Sequence, residues 1–127
     1  MKILISNRIQ TKSYWGDRQM LIEKIKEQIM KWEGVTSGLH RFGGIEFRIG
    51  IREMGHVHGD KLADLPFPMQ IRNKLIESGR ASPHHILPQS GWVSKWINGE
   101  DDVAGVIELF RMQYERLKPH DKQNDVL

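Results

Sequence analysis

The sequence predicts an α+β fold: one domain, an antiparallel sheet of four to six strands packed against two or three helices. Three observations predict it. The chain has 127 residues, which suits one core. Apolar residues recur with helical period near both ends, while the middle carries period-two alternation broken by glycines. Helices and strands do not alternate strictly, so hairpins rather than parallel crossovers should organise the sheet.

The elements follow in order. Ile3 and Ile5 suit one face of a short strand or arm. Asp17 is placed to cap a helix over 17–33, in which Leu21, Ile22, Ile25, Ile29 and Trp32 share a face, with Gly34 as its stop. Residues 35–42 hold β-formers. Gly43-Gly44 then reads as a two-residue turn that sets Phe42 opposite Ile45, Arg41 opposite Glu46 and His40 opposite Phe47. Ile45, Phe47, Ile49 and Ile51 alternate with polar residues or glycine, the pattern of a strand with one buried and one wet face. Another strand is expected over Met54 to His58, and a loop over Asp60 to Pro68.

Pro68 suits the first turn of a helix over 69–78 that turns Ile71, Leu75 and Ile76 inward and ends at Gly79. Pro83 and Pro88 bracket His84 to Leu87, Ser90-Gly91 turns the chain, and residues 92–97 read as a strand. Asp101 or Asp102 should cap a final helix over 101–117, striped by Val103, Ile107, Phe110, Tyr114 and Leu117. Pro119 stops it, and 118–127 reads as a loose polar tail.

Composition narrows the chemistry. Hydrophobic residues make up 39% and charged residues 28%, ordinary for a globular domain and too apolar for disorder. There is no cysteine, which excludes disulfides, thiol catalysis and iron–sulfur or cysteine-bearing zinc sites. The net charge of +3 points to no particular partner. No apolar run is long enough for a signal peptide or a membrane span, so a cytoplasmic location without membrane partners is the expectation. No nucleotide or flavin motif and no nucleophile elbow is present.

Histidines carry the functional signal. His56 and His58, two residues apart, leave the same face of a strand, Asp60 and Asp64 follow, and His84 and His85 lie between prolines. Three readings are open. His56, His58 and His84 could hold a divalent metal with a position free for water or substrate. The same histidines could serve a metal-free catalytic or ligand-binding site. They could also be structural. His40 reads as structural because the expected pairing places it beside Phe42 and Phe47. Trp92 and Trp96 could floor a pocket, but packing beneath the last helix is the favoured reading. Arg41, Arg48 and Arg52 form a basic patch, yet Glu46 and Glu53 interleave and no stacking aromatics accompany them, so nucleic acid is a poor match.

These strings bear a family resemblance. His40-Arg41-Phe42-Gly43-Gly44, Glu46-Phe47, Arg52 to Gly59, Ala63 to Pro68 and His84 to Val93 closely resemble the luciferase-domain family of small bacterial proteins related to fungal luciferases. The resemblance spans about residues 34–117. It implies that the segments bearing His56, His58, His84 and His85 converge. The bacterial members have no established activity; fungal luciferases are oxygenases acting on a hydroxypyrone without a bound organic cofactor. Gly91 to Leu117 is also similar, as a fold pattern, to the ending of MmcQ/YjbR-like proteins.

The resulting expectation is a small-molecule-binding protein with oxygen-dependent or metal-assisted chemistry in a pocket between these segments. His58 or His85 would act as general base or ligand, Asp64 as orienter, Trp92 as apolar wall and Arg52 as anion anchor, with His56 and His84 also touching the ligand. The alternatives are a nucleic-acid-binding module and a homodimeric interaction protein.

Overall fold

The computed structural model describes residues 19–40, 43–59 and 61–119. The expected arm, Asp17, Arg41, Phe42, Asp60 and the tail from residue 120 lie outside them.

Helix α1 runs over 19–30 and is followed by a turn that closes at Gly34, whose φ of 86° suits glycine. It ends three residues before the expected residue 33, and Trp32 sits in the turn. Six strands follow with two further helices: β1 Val35–Leu39, β2 Ile45–Ile49, β3 Arg52–His58, β4 Leu62–Pro66, α2 Met69–Glu77, β5 Ser82–Pro83, β6 Trp92–Trp96 and α3 Asp101–Leu117. The strands form one sheet in the order β1-β2-β3-β4-β6-β5, with every pairing antiparallel. The α+β class is therefore as the sequence predicts. Among the described residues, no helix is long and apolar enough to cross a membrane.

Helix α3 crosses β3 and β4 on one face of the sheet. Phe110 meets Phe47 edge-on at 5.3 Å, and the Gly55 backbone comes so close to the Phe110 ring that a Cβ there would lie 3.0 Å from it. α1 lies beside α3, where Trp32 packs on Tyr114 at 5.4 Å and the Tyr114 hydroxyl donates to the Glu33 carbonyl at 2.8 Å. Between helices and sheet lies the apolar core, with Ile25, Ile29, Phe47, Val57, Leu65, Val93, Val106 and Phe110 fully buried. Gln113 is polar but equally buried. Its amide donates to the carbonyls of Met54 and Pro66, which answers the polar cost of placing it there.

Four local expectations are corrected. The β1–β2 register pairs Leu39 with Ile45 and Ser37 with Phe47, three residues away from the pairing a two-residue turn would impose. Gly43 and Gly44 both have positive φ, but Gly44 is also needed because a Cβ would fall 2.1 Å from the Val57 carbonyl oxygen. Close approach to β3, rather than a minimal turn, explains that glycine. Second, Ile51 does not continue the buried stripe. The chain turns at Gly50, and Ile51 is 93% exposed. Third, β3 starts at Arg52, with a bulge opposite Phe47 and Arg48. Fourth, the expected loop over 60–68 contains β4, a strand buried on both faces and so lacking the alternation that marks a half-exposed strand.

At the other helices, Gly79 (φ 76°) ends α2, and Leu75 is its buried residue. Asp101 and Asp102 fall in the first turn of α3 rather than at its cap; the Asp102 carboxylate accepts from the Asn98 N–H at 2.7 Å.

Candidate functional site

The sheet face away from α3 carries a row of directly opposed residues: Gly38, Glu46, His56, Asp64, Ser94 and Ser82, one from each strand. Opposed residues share a face, so antiparallel register alone gathers a carboxylate, an imidazole, a second carboxylate and a hydroxyl into one line. His58 joins them two residues along β3, and Trp92 two residues along β6. After β5, the chain from Pro83 to Gly91 lays His84 and His85 over the row, both within 3.5 Å of Asp64.

Asp64 is the centre. It is 0% exposed and surrounded by donors. Ser94 Oγ donates to its Oδ1 at 2.6 Å, and His85 Nδ1 lies 3.5 Å from the same oxygen. His58 Nε2 is 2.7 Å from Oδ2, His84 Nε2 3.4 Å and His56 Nε2 3.6 Å. His56 is held from its other side by Glu53 Oε2, 2.6 Å from Nδ1, and its Nε2 lies 3.0 Å from His58 Nε2. His40 stacks on His56 with ring centroids 3.9 Å apart.

Partners assign the protons on two rings. His84 Nδ1 accepts the backbone N–H groups of Ile86 (3.1 Å) and Leu87 (2.9 Å), so its proton resides on Nε2, facing Asp64. Ser94 Oγ, having donated to Asp64, accepts from the His85 N–H and its Nδ1–H, each at 3.2 Å. That leaves Nε2 as the basic atom of His85.

The electrostatics are those of a buried anion ringed by imidazoles. Burial alone would push Asp64 up, but hydrogen bonds from His56 and Ser94 and the neighbouring His84 and His85 hold it at about 2. Burial likewise opposes charge on His56, yet its hydrogen bonds to Asp64 and Glu53 outweigh that and raise it to about 9. His84 and His40 go the other way. Burial depresses both, and the other imidazoles add to the effect.

This floor opens into a cavity of about 440 Å³ lined by His40, Glu53, His56, His58, His84 and His85, with Ile86, Leu87 and Trp92 as its apolar part. Trp92 contacts His56 (5.4 Å between centroids) and His84 (5.8 Å), so it faces the site instead of packing beneath α3. Trp96 is 43% exposed and apart from the cavity lining. Arg52 is exposed at the start of β3 and does not join the lining, because it lies four to six residues along the strand from His56 and His58. Of the expected basic patch, Arg48 is engaged with buried Glu46, and Arg41 lies outside the described residues.

His56, His58, Asp64, His84, His85 and Trp92 are thus brought together as expected, whereas Arg52 is not. Three contributors were missed. His40 was read in the wrong register, Glu53 reaches His56 across the bulge, and Ser94 is identified only by its place opposite Asp64. Among the described residues, three groupings place ligand atoms within reach of one ion: His40, Glu53 and His56; His56, His58 and Asp64; and Asp64, His84 and His85.

Residues 52–113 match the model of the Luciferase domain family, which bears out the expected resemblance over a shorter span than 34–117. The matched segment runs from the start of β3 into α3 and so contains every residue in contact with Asp64. No curated protein and no solved structure matches the chain.

Proposed function

We propose that this Luciferase-domain chain binds a small planar ligand and moves a proton on it, with His85 as general base. The observation that carries the reading is Asp64, a fully buried carboxylate held directly behind the imidazoles that line an open cavity. A buried charge is costly, and a protein core has cheaper ways to fill a sheet face. An anion held ionised beside several histidines instead prepares the ground for a proton or a cation.

The parts have distinct roles. Ser94 and Asp64 hold His85 through Nδ1, so that Nε2 accepts a proton from a ligand hydroxyl and Asp64 stabilises the imidazolium that forms. His84 offers its Nε2–H to a ligand oxygen. Trp92, Ile86 and Leu87 supply an apolar wall for a flat ring. The ligand class is therefore a ring bearing an acidic hydroxyl, such as a phenol or a hydroxypyrone, the latter being the type of substrate that fungal luciferases oxidise.

The test uses para-nitrophenol, whose visible absorbance reports its ionisation, and a simple hydroxypyrone. Both should bind the full chain and quench tryptophan fluorescence. Trp92→Ala should weaken binding about tenfold, near 1.4 kcal/mol. His85→Ala should bind nitrophenol without ionising it, at an unchanged melting temperature. Failure of both probes to bind, or equal behaviour of both variants and the parent, would sink the proposal.

A further inference from the structure

We infer that His56, His58 and Asp64 form a site for a first-row divalent metal ion, with Glu53 orienting His56 and His84 facing the ion as a hydrogen-bond donor rather than as a ligand. The inference rests on the pocket reading above, since it gives the same floor a second role.

The three atoms that converge are His56 Nε2, His58 Nε2 and Asp64 Oδ2. Their separations are 3.0, 2.7 and 3.6 Å. A proton does not satisfy such a triangle. Placed on His58 Nε2 it can point at the carboxylate or at His56, because from His58 the two lie at nearly a right angle. Protons on both nitrogens would oppose each other across 3.0 Å. A cation serves all three lone pairs at once. The circle through the three atoms has a radius of about 1.8 Å, so one ion can sit about 2.1 Å from each, the usual length of metal bonds to nitrogen and oxygen.

The surroundings separate ligand from non-ligand. A metal-binding imidazole donates its other N–H to an acceptor, usually a carboxylate or carbonyl, and so keeps a free lone pair for the ion. His56 does this, with Nδ1 2.6 Å from Glu53 Oε2. His84 does the reverse. Its Nδ1 is occupied by two backbone N–H groups, so Nε2 carries the proton and cannot ligate without forming an imidazolate. That N–H lies 3.4 Å from Asp64 Oδ2, positioned to donate to an oxygen bound on the ion. His84, a sequence-level candidate for ligation, is therefore replaced in the ligand set by Asp64.

Two imidazoles and one carboxylate suit zinc, ferrous iron or cobalt, and three protein ligands leave positions for water or a ligand oxygen. An ion there would also acidify a bound hydroxyl beside His85.

The test is a cobalt(II) titration of the full chain, prepared without a histidine tag and stripped with chelator, followed by visible absorption and by displacement with zinc(II). One equivalent of cobalt should bind and be displaced by one of zinc. His58→Ala and Asp64→Ala should each weaken binding at least about a hundredfold, and Glu53→Gln about tenfold. His84→Ala should stay within about threefold of the parent. No cobalt binding by the parent, or a loss in His84→Ala as complete as in His58→Ala, overturns the inference. If a variant does not fold, nitrogen NMR of the parent decides. Zinc should shift Nε2 of His56 and His58 strongly and leave His84 Nε2 protonated, and the opposite pattern overturns the assignment. Repeating the nitrophenol titration in chelator keeps the two readings apart. Probe binding by a chain that takes no cobalt removes the metal site alone, whereas cobalt binding without probe binding removes only the pocket reading.

Discussion

The two faces of the sheet are made from alternate residues of the same strands, yet they do opposite things. Toward α3, β3 to β6 present Val57, Ala63, Leu65 and Val93, all essentially unexposed and apolar. Toward the cavity, the intervening positions are His56, Asp64 and Ser94, just as well buried but polar. Burial is thus shared and chemistry is not. The first face gains free energy from removing apolar area from water. The second gains little, because each polar group exchanges water for a partner of similar worth. Stability should reside on the helix face and function on the other.

The largest test of this contrast is Phe110→Ala, which empties the centre of the helix face. It should cost about 3–5 kcal/mol in urea unfolding. A loss below about 1 kcal/mol would break the comparison at its stable end. Asp64→Asn keeps the volume but removes the charge at the centre of the polar face. It should cost about 1–3 kcal/mol, less than the aromatic truncation, and NMR titration should show His56 falling back toward its ordinary value near 6.5. A cost equal to that of Phe110→Ala would mean the two faces do not divide the work.

The third test is pH, on the chain kept in chelator. His56 is raised to about 9, so its stabilisation is complete below its unfolded value near 6.5 and is lost as pH rises through 9. Asp64 is held at about 2, so its contribution is complete above roughly 4 and is lost as pH falls through 2. The contributions of His56 and Asp64 are therefore both complete between about pH 4 and 6.5, the depressed His84 and His40 oppose folding as pH falls below about 6.5, and the melting temperature should decline from pH 6.5 toward 9. A flat profile from pH 6.5 to 9 would show that His56 gains nothing from its partners. The smallest effect belongs to His85→Ala. At the mouth of the cavity it should change stability by less than about 0.5 kcal/mol while abolishing probe ionisation, and a larger loss would make this histidine structural.

How much of this was legible varied with how each residue signals. The helices of 101–117 and 69–78 were readable because an amphipathic helix repeats its core positions and Gly79 and Pro119 punctuate the ends. The convergence of His56, His58, His84 and His85 was legible through a family resemblance that residues 52–113 confirm. β4 was not legible. Leu62 to Pro66 is covered on both faces, so burial imposed no alternation, and Asp64 in its middle read as a loop residue. For Trp92 the sequence left two placements open, the wall of a pocket and packing beneath the last helix, for a related reason. Strand spacing shows which residues share a face but not which face meets the helices.

The sequence by itself therefore determined the class of fold, the helix positions and the residue types available for chemistry, because these depend on local periodicity, turn residues and composition. Only the tertiary structure decided that Glu46, His56, Asp64 and Ser94 stand in one row, that Glu53 reaches His56 across a bulge, and that His40 stacks there while Arg52 stays out. Those facts depend on strand register. Register is a sum of long-range pairings in which a shift of one residue turns every side chain to the other face, and no local window of sequence contains it.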